Sequence, residues 1–394
     1  MKTILLLGAG TGSSDAVLKL KSLGLKIIMI ELRHVFDFKK CEPADEIILS
    51  DYRKPGFIEF ALKLRETWNF DVVVSITEAG VSVAARINEL IGARGSDLCA
   101  IGYLNNKAAM RALLNEHGFS PVAYQVINSH ADLAAFSDIG SFPFIIKPVD
   151  GGGSESVYLV RTDEEAASAV EAIQAKHMTP LAEQYIDGNE YSVESFSFNG
   201  RHAVVAITEK LVNERFVEIG HVVPARLDEA TTEAMADFVR SFLELVGVTN
   251  GPCHTEMKLS SAGMKIIESH NRVGGGNIPK LVELTYGIDL TSLVGQWACD
   301  LVEPSTLTAT PEGAAAIHFF VFPEGEIIEL QGIDQLVGNS STIEYRCVYG
   351  KGDTVPPLNS NSNRGGYVIV REATADAAIA KAKQLARGVV ALTK

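Results

Sequence analysis

The chain predicts an α/β protein, doubly wound at its N-terminal end and passing into an α+β body. Three observations carry that expectation. Thr3–Leu7, Leu25–Ile30 and Asp71–Ile76 are continuous apolar runs, as strands buried on both faces of a parallel sheet require. Helical segments alternate with them, which makes βα units. Near residue 100 that alternation gives way to strands mixed with helices, and 394 residues are too many for one ordinary domain.

Taken in order, the first strand runs into Gly8-Ala9-Gly10-Thr11-Gly12, and a helix follows, capped by Ser13 or Ser14. That helix turns Val17, Leu18 and Leu23 inward and places Gly24 at its C′ position. Val81–Ile91 reads as a helix closed by Gly92. Asn105 caps a helix carrying Met110, Leu113 and Leu114, stopped by Gly118 and Pro121. Further on, strands are expected at Phe144–Ile146, Val157–Val160 and Tyr191–Phe198, with a helix over Glu164–Lys176. From about Gly313 the pattern gives short strands (Ile317–Phe322, Tyr367–Val370) and a terminal helix, Ala375–Arg387, with Thr374 as N-cap. No internal repeat or low-complexity linker stands out.

Composition narrows the function. Hydrophobic residues make up 46% and charged residues 21%, enough for a packed core and against disorder. The formal charge of −14, without a Lys/Arg block, argues against nucleic acid as a partner. Five scattered cysteines with no CxxC pair support neither a disulfide framework nor a thiolate zinc site. The opening apolar run is broken by glycine before it could serve as a signal peptide, and no later run approaches a membrane span. The expectation is a soluble, cytoplasmic protein that does not engage a membrane.

Four segments could carry chemistry. Gly8 to Gly12, followed by Glu31 at the end of the second strand, fits either a dinucleotide fingerprint lacking its third glycine or a tight βα turn. Lys147-Pro148-Val149-Asp150-Gly151-Gly152-Gly153-Ser154-Glu155-Ser156 delivers a lysine and then a loop. That loop can close over a polyphosphate and donate backbone N–H groups. Glu183-Gln184-Tyr185-Ile186 and Glu190 could offer backbone groups to a purine and a carboxylate to a ribose, or form an ordinary β-turn.

The fourth segment is a hairpin, His254–Leu259 and Lys265–His270 around Ser260-Ser261-Ala262-Gly263. Alternation puts Glu268, His270 and Arg272 on one face. An odd-length loop would set Glu256 directly opposite Glu268. Facing carboxylates on paired strands repel, and Mg²⁺ shared with substrate phosphates reverses that sign. Arg272, followed by Gly274-Gly275-Gly276, adds a guanidinium and open backbone N–H groups suited to a developing oxyanion.

In this order the motifs resemble the ATP-grasp superfamily over essentially the whole chain. Ile207-Thr208-Glu209-Lys210, Gly220-His221-Val222-Val223-Pro224-Ala225 and the Glu268–Gly276 run look like the L-amino acid ligases of dipeptide and peptide-antibiotic pathways. The resemblance implies an ATP-grasp fold: a Rossmann-like domain over 1–100, ATP-grasp subdomains over 101–182 and 183–310, and a small C-terminal α+β domain over 311–394. It implies that Lys107 and Lys147 contact ATP phosphates, that Gly151, Gly152, Gly153, Ser154 and Ser156 form the covering loop, and that Glu183 to Ile186 hold adenine and Glu190 the ribose. It further implies Mg²⁺ or Mn²⁺ on Glu256 and Glu268, and an acyl phosphate supported by Arg272. Thr77, Glu78, Glu218, His221 and Gly275 would face the amino-acid substrates. Many relatives have Glu-x-Asn-x-Arg, whereas here His270 stands at the asparagine position. Either His270 ligates the metal or bonds a phosphate or metal-bound water, or Asn271 bends inward.

The expected activity is ATP-dependent joining of an amino acid to the amine of a second one, with release of ADP and phosphate. The rivals are another ATP-grasp reaction (a carboxylase or a nucleotide-pathway ligase) and a nicotinamide-dependent oxidoreductase. The expected partners are small-molecule amino acids. A homodimer is compatible with the sequence, which does not specify one.

Overall fold

The structure is a computed structural model that describes residues 1–9, 15–302, 307 and 309–394. Gly10 to Ser14, most of the glycine run and its expected helix cap, lie outside the described residues.

The N-terminal layer is β1 (Thr3–Leu7), α1 (Ala16–Ser22), β2 (Lys26–Glu31), α2 (Phe38–Cys41), β3 (Glu46–Leu49), α3 (Phe57–Trp68), β4 (Val72–Ser75) and α4 (Glu78–Ile91). Its strands form a parallel sheet in the order β3-β2-β1-β4. Alternation splits β1 between two cores: Ile4 and Leu6 pack toward α1, while Leu5 and Leu7 pack with Phe57, Ala61 and Phe70 on the other face. The strand order reverses between β1 and β4, the place where open α/β sheets present their crevice. Thr77 and Glu78 sit at the end of β4, at that point.

Two linking helices follow, α5 (Leu98–Asn105) and α6 (Lys107–Glu116). The expected cap of α6 was Asn105. Its cap is Asn106, whose side chain accepts from the Ala109 N–H at 2.9 Å. A small antiparallel sheet, in the order β5-β8-β6-β7, is built from β5 (Tyr124–Val126), α7 (His130–Gly140), β6 (Phe144–Pro148), β7 (Tyr158–Val160), α8 (Asp163–Gln174) and β8 (Pro180–Gln184). Helices α7 and α8 close its apolar face through Phe136, Ala166 and Ile173.

The body comprises β9 (Asn189–Phe198), β10 (Arg201–Val212), β11 (Glu218–Val223), α9 (Glu229–Val246), β12 (Gly251–Ser260), β13 (Gly263–His270), α10 (Ile278–Tyr286) and α11 (Leu290–Ala298). The chain ends with β14 (Ala314–Phe319), β15 (Gly325–Gln331), β16 (Thr342–Cys347), β17 (Thr354–Val355), β18 (Gly366–Glu372), α12 (Ala375–Arg387) and β19 (Val390–Thr393). An eight-stranded sheet, β13-β12-β9-β10-β11-β14-β18-β16, runs through both groups, so the C-terminal strands extend the central sheet. The turn between β8 and β9 demands Gly188, whose φ is +86° and whose Cβ would lie 2.1 Å from the Leu259 carbonyl oxygen. Among the described residues no helix is long and apolar enough to cross a membrane.

Candidate active site

One cavity lies between the small sheet and the central sheet. Lys107, Lys147, Gly151, Gly152, Ser154, Glu183, Gln184, Tyr185, Ile186, Glu190, Glu256 and Glu268 all line it. Two expected members point elsewhere. The Gly153 carbonyl oxygen accepts from the Asn361 N–H (3.1 Å), and the Ser156 hydroxyl accepts from Lys176 Nζ (2.9 Å).

Glu256 and Glu268 are direct register partners on β12 and β13. The route to that register differs from expectation. The hairpin closes on the pair Ser260–Gly263 with only Ser261 and Ala262 between them, an even loop that would have offset the glutamates. The register shifts between Glu256 and Met257, where Ile267 is skipped as a bulge, and this supplies the odd residue.

Each glutamate has its own lysine. Lys107 opens α6 and brings Nζ to 2.9 Å from Glu268 Oε2 and 2.7 Å from the Gly151 carbonyl oxygen. Lys210, 4% exposed, reaches Glu218 at 2.7 Å and Glu190 at 3.5 Å, and touches Glu256. Burial alone would lower the Lys210 ammonium, but Glu218, Glu256 and Glu190 outweigh it and hold it well above the ordinary lysine range. The sequence showed Lys210 only as part of a motif and gave no sign of this triple contact.

Lys147, the expected phosphate contact, lines the cavity. Its Nζ lies 2.7 Å from Glu183 Oε2, and Arg111, wholly buried, grips the same carboxylate through Nε at 3.0 Å. Arg111 is one turn after Lys107 on α6 and also donates to the carbonyl oxygens of Ile266 and Ile267, at 2.7 and 3.3 Å. Burial pushes the Glu183 carboxyl up, but Arg111 and Lys147 prevail and hold it at about 2. The Glu183 side chain is therefore committed to the fold, and this stretch can offer a purine only backbone groups and neighbours. Beyond it, Lys258 donates to the Ile186 carbonyl oxygen at 3.1 Å and lies over the rings of Tyr185 and Phe216.

A histidine stands behind each facing carboxylate. His254 donates to Glu194 through Nδ1 and to Glu256 through Nε2, both at 3.0 Å. His270, its register partner, has Nε2 at 3.3 Å from Glu268 and Nδ1 at 2.8 Å from Glu78. Burial would lower His254, but the two glutamates raise it to about 9. Both ring nitrogens of His270 thus lie within ion-pair distance of a carboxylate. Asn271 does not bend inward: its amide donates to the Pro252 carbonyl oxygen at 2.9 Å, on the far side. Glu256 and Glu268 could hold a cation between them, and their oxygens suit magnesium, with further positions left to phosphate and water. Among the described residues no group of three or more His, Cys, Asp and Glu side chains is arranged to hold a metal alone.

The expected substrate residues lie beside this cavity. Arg272 donates from Nε to Glu78 at 2.8 Å, and His221 approaches Glu218 at 3.2 Å. Gly275 is exposed with open space above it. Glu31 is not available to a ribose: it is 1% exposed, and its carboxylate accepts from the Ala9 and Leu32 N–H groups at 3.1 and 2.8 Å. This geometry removes the acid on which the nicotinamide reading depended.

Residues 140–280 match the ATP-grasp domain, and residues 318–393 match the L-amino acid ligase C-terminal domain 2. An L-arginine-specific L-amino acid ligase of Bacillus subtilis is 22% identical over 316 residues, covering 76% of this chain and 75% of that one. The alanine–anticapsin ligase of Bacillus subtilis (strain 168) is 26% identical over 277 residues, 63% of this chain and 58% of that one. The chain spans less than two thirds of the length of most of the curated relatives it matches. The crystal structure of an L-amino acid ligase from Bacillus licheniformis superposes with a TM-score of 0.84 at 20% identity, covering 100% of this chain and 99% of that one. The chain therefore carries an ATP-grasp domain followed by an L-amino acid ligase C-terminal domain, on the fold of an L-amino acid ligase.

Proposed function

We propose that the protein is an ATP-dependent carboxylate–amine ligase that joins two amino acids through an acyl phosphate. The observation that carries this reading is the single cavity into which Lys107, Lys147, the glycine loop, Glu256 and Glu268 converge, with Arg272 beside it. Relatives named as amino-acid ligases support it.

Lysine charges and loop N–H groups hold the triphosphate, and Tyr185, Ile186 and Phe216 wall the base. Mg²⁺ or Mn²⁺ held by Glu256 and Glu268 would neutralise phosphate charge. A carboxylate oxygen of the first substrate attacks the γ-phosphorus, and the bridging oxygen departs with ADP. The amine of the second substrate then attacks the acyl carbon, the carbon–oxygen bond to phosphate breaks, and the amine proton is lost. Arg272 faces the oxyanion of that step. Positioning and charge neutralisation supply most of the rate.

The test is incubation with ATP, Mg²⁺ and amino acids in pairs. ADP, phosphate and a new amide should appear in step by mass spectrometry. AMP and pyrophosphate would overturn the acyl-phosphate mechanism. Phosphate release that requires bicarbonate, without an amide, would make the protein a carboxylase.

A further inference from the structure

Three separate elements hold the glycine loop that follows β6. Lys107 on α6 donates to the Gly151 carbonyl oxygen at 2.7 Å. Lys176, just after α8, donates to Glu155 at 2.7 Å and to the Ser156 hydroxyl at 2.9 Å. The third hold comes from the C-terminal part of the chain. There the Asn361 N–H donates to the Gly153 carbonyl oxygen at 3.1 Å, and the Ser360 hydroxyl approaches the same oxygen at 3.5 Å.

Asn361 opens a short 3₁₀ turn, Asn361–Asn363, just before β18. Its other polar groups fasten that turn. The side-chain oxygen accepts from the Glu218 N–H at 3.0 Å, and the carbonyl oxygen accepts from Arg364 Nε at 2.7 Å. Arg364 in turn lies 3.5 Å from Glu218 Oε2 and 3.6 Å over the Phe319 ring. The loop is the softer partner. Gly151, Gly152 and Gly153 have open space around them, and Gly153 has a φ of +68°. Ordering such a backbone costs more entropy than ordering any other. The bond also sets direction. The Gly153–Ser154 peptide is trans, so its C=O and N–H point opposite ways. Drawing the carbonyl oxygen toward Asn361 therefore turns the Ser154 N–H away from it. Ser154 lines the nucleotide cavity, and Asn361 does not.

We propose that Asn361 is a positioning residue for nucleotide binding: its backbone N–H latches the phosphate-covering loop, and its side chain braces that latch on Glu218. The assignment rests on the ligase reading for the role of the loop and on these bonds for its geometry. Two substitutions separate the two groups. Asn361→Ala keeps the N–H and removes the brace, whereas Asn361→Pro removes both. The backbone suits proline: Ser360 is extended, at φ −157° and ψ 154°, as the residue before proline prefers, and proline favours the first position of a helical turn. The first readout is the rate of nicking after the exposed Glu155 by a glutamate-specific protease, without nucleotide. The second is the Kd of adenylyl imidodiphosphate with Mg²⁺, by calorimetry. Asn361→Pro should raise both roughly three- to tenfold, the range of one hydrogen bond, and Asn361→Ala distinctly less. A merely structural role would lower the urea midpoint and leave both readouts unmoved. If either readout for Asn361→Pro stays within about twofold of native, or the two variants lose equally, the latch falls and the ligase reading stands. If the native protein binds no analogue, the ligase reading falls and nicking alone decides the latch. Should Asn361→Pro not fold, hydrogen exchange of the native protein decides: the analogue should slow exchange of the Asn361 amide, and an unchanged rate overturns the latch.

Discussion

Glu256 and Glu268 face each other across β12 and β13, and each is met by a lysine from a different element, Lys210 from β10 and Lys107 from α6. Two buried carboxylates in register repel. Here both are held below the ordinary carboxylate range: burial opposes ionisation, but Lys210 prevails at Glu256 and Lys107 at Glu268. The fold therefore keeps the acids charged and aimed at the cavity, the state a divalent cation requires.

Replacing either by glutamine should weaken Mn²⁺ binding, followed by electron paramagnetic resonance, by at least about tenfold. Stability should change much less, by about 1–2 kcal/mol in urea unfolding, because Lys210 keeps Glu218 and Lys107 keeps the Gly151 carbonyl oxygen. Unchanged Mn²⁺ affinity in both variants would remove the metal role from this pair.

Lys147→Met tests a residue with two duties. The cavity wall it forms predicts an ATP-analogue Kd raised by roughly tenfold or more, as loss of a charge-assisted contact implies. Its 2.7 Å contact with Glu183 predicts a stability loss as well, about 1–3 kcal/mol, softened because Arg111 still holds that carboxylate. Normal nucleotide affinity in a destabilised variant would make Lys147 purely structural.

The fold was most legible where signals are local. β1 and α12 fall on their expected bounds, and Thr374 caps α12 through the Ala377 N–H at 3.3 Å. Adjacent asparagines left the cap of α6 one residue astray, since both can accept from the helix start. The chemistry-bearing residues were legible as types, but their partners were not. Arg111 meets Glu183 across 72 positions, and Glu194 meets His254 across 60, through sheet register and helix placement that no local pattern encodes. The Ile267 bulge is the sharpest case: one unpaired residue reverses the parity of the hairpin, and its neighbours read as an ordinary strand.

Acid should expose the Glu183 contribution. Its folded pKa, about 2, lies below the ordinary glutamate value of 4.5, so the stabilisation is fully present above pH 4.5 and is lost as pH falls toward 2. The depression amounts to about 3 kcal/mol at most by linkage. Comparing urea unfolding of the native protein with that of Glu183→Gln at steps from pH 6 to pH 3 should show the native advantage shrinking below pH 4.5. A constant difference across that range would show that the carboxylate does not titrate with folding.

The backing of Glu256 by His254 can be tested without touching either. A Cβ on Gly274 would lie 3.0 Å from both Glu194 Oε2 and His254 Nδ1, and 3.2 Å from Ile278 Cβ, closer than neighbours ordinarily allow. Gly274 has no left-handed φ to protect, so the clash alone decides the outcome of Gly274→Ala. Ile278 is buried at the start of α10 and cannot retreat far, which leaves the Glu194–His254 pair to shift and Glu256 to lose its alignment. The expected result is Mn²⁺ affinity reduced several-fold, with a stability loss of about 1–3 kcal/mol from overpacking. Gly275→Ala is the control, because open space surrounds that position and neither quantity should move. If Gly274→Ala proves as silent as Gly275→Ala, His254 does not position Glu256. If stability falls while Mn²⁺ affinity holds, the glycine serves packing alone.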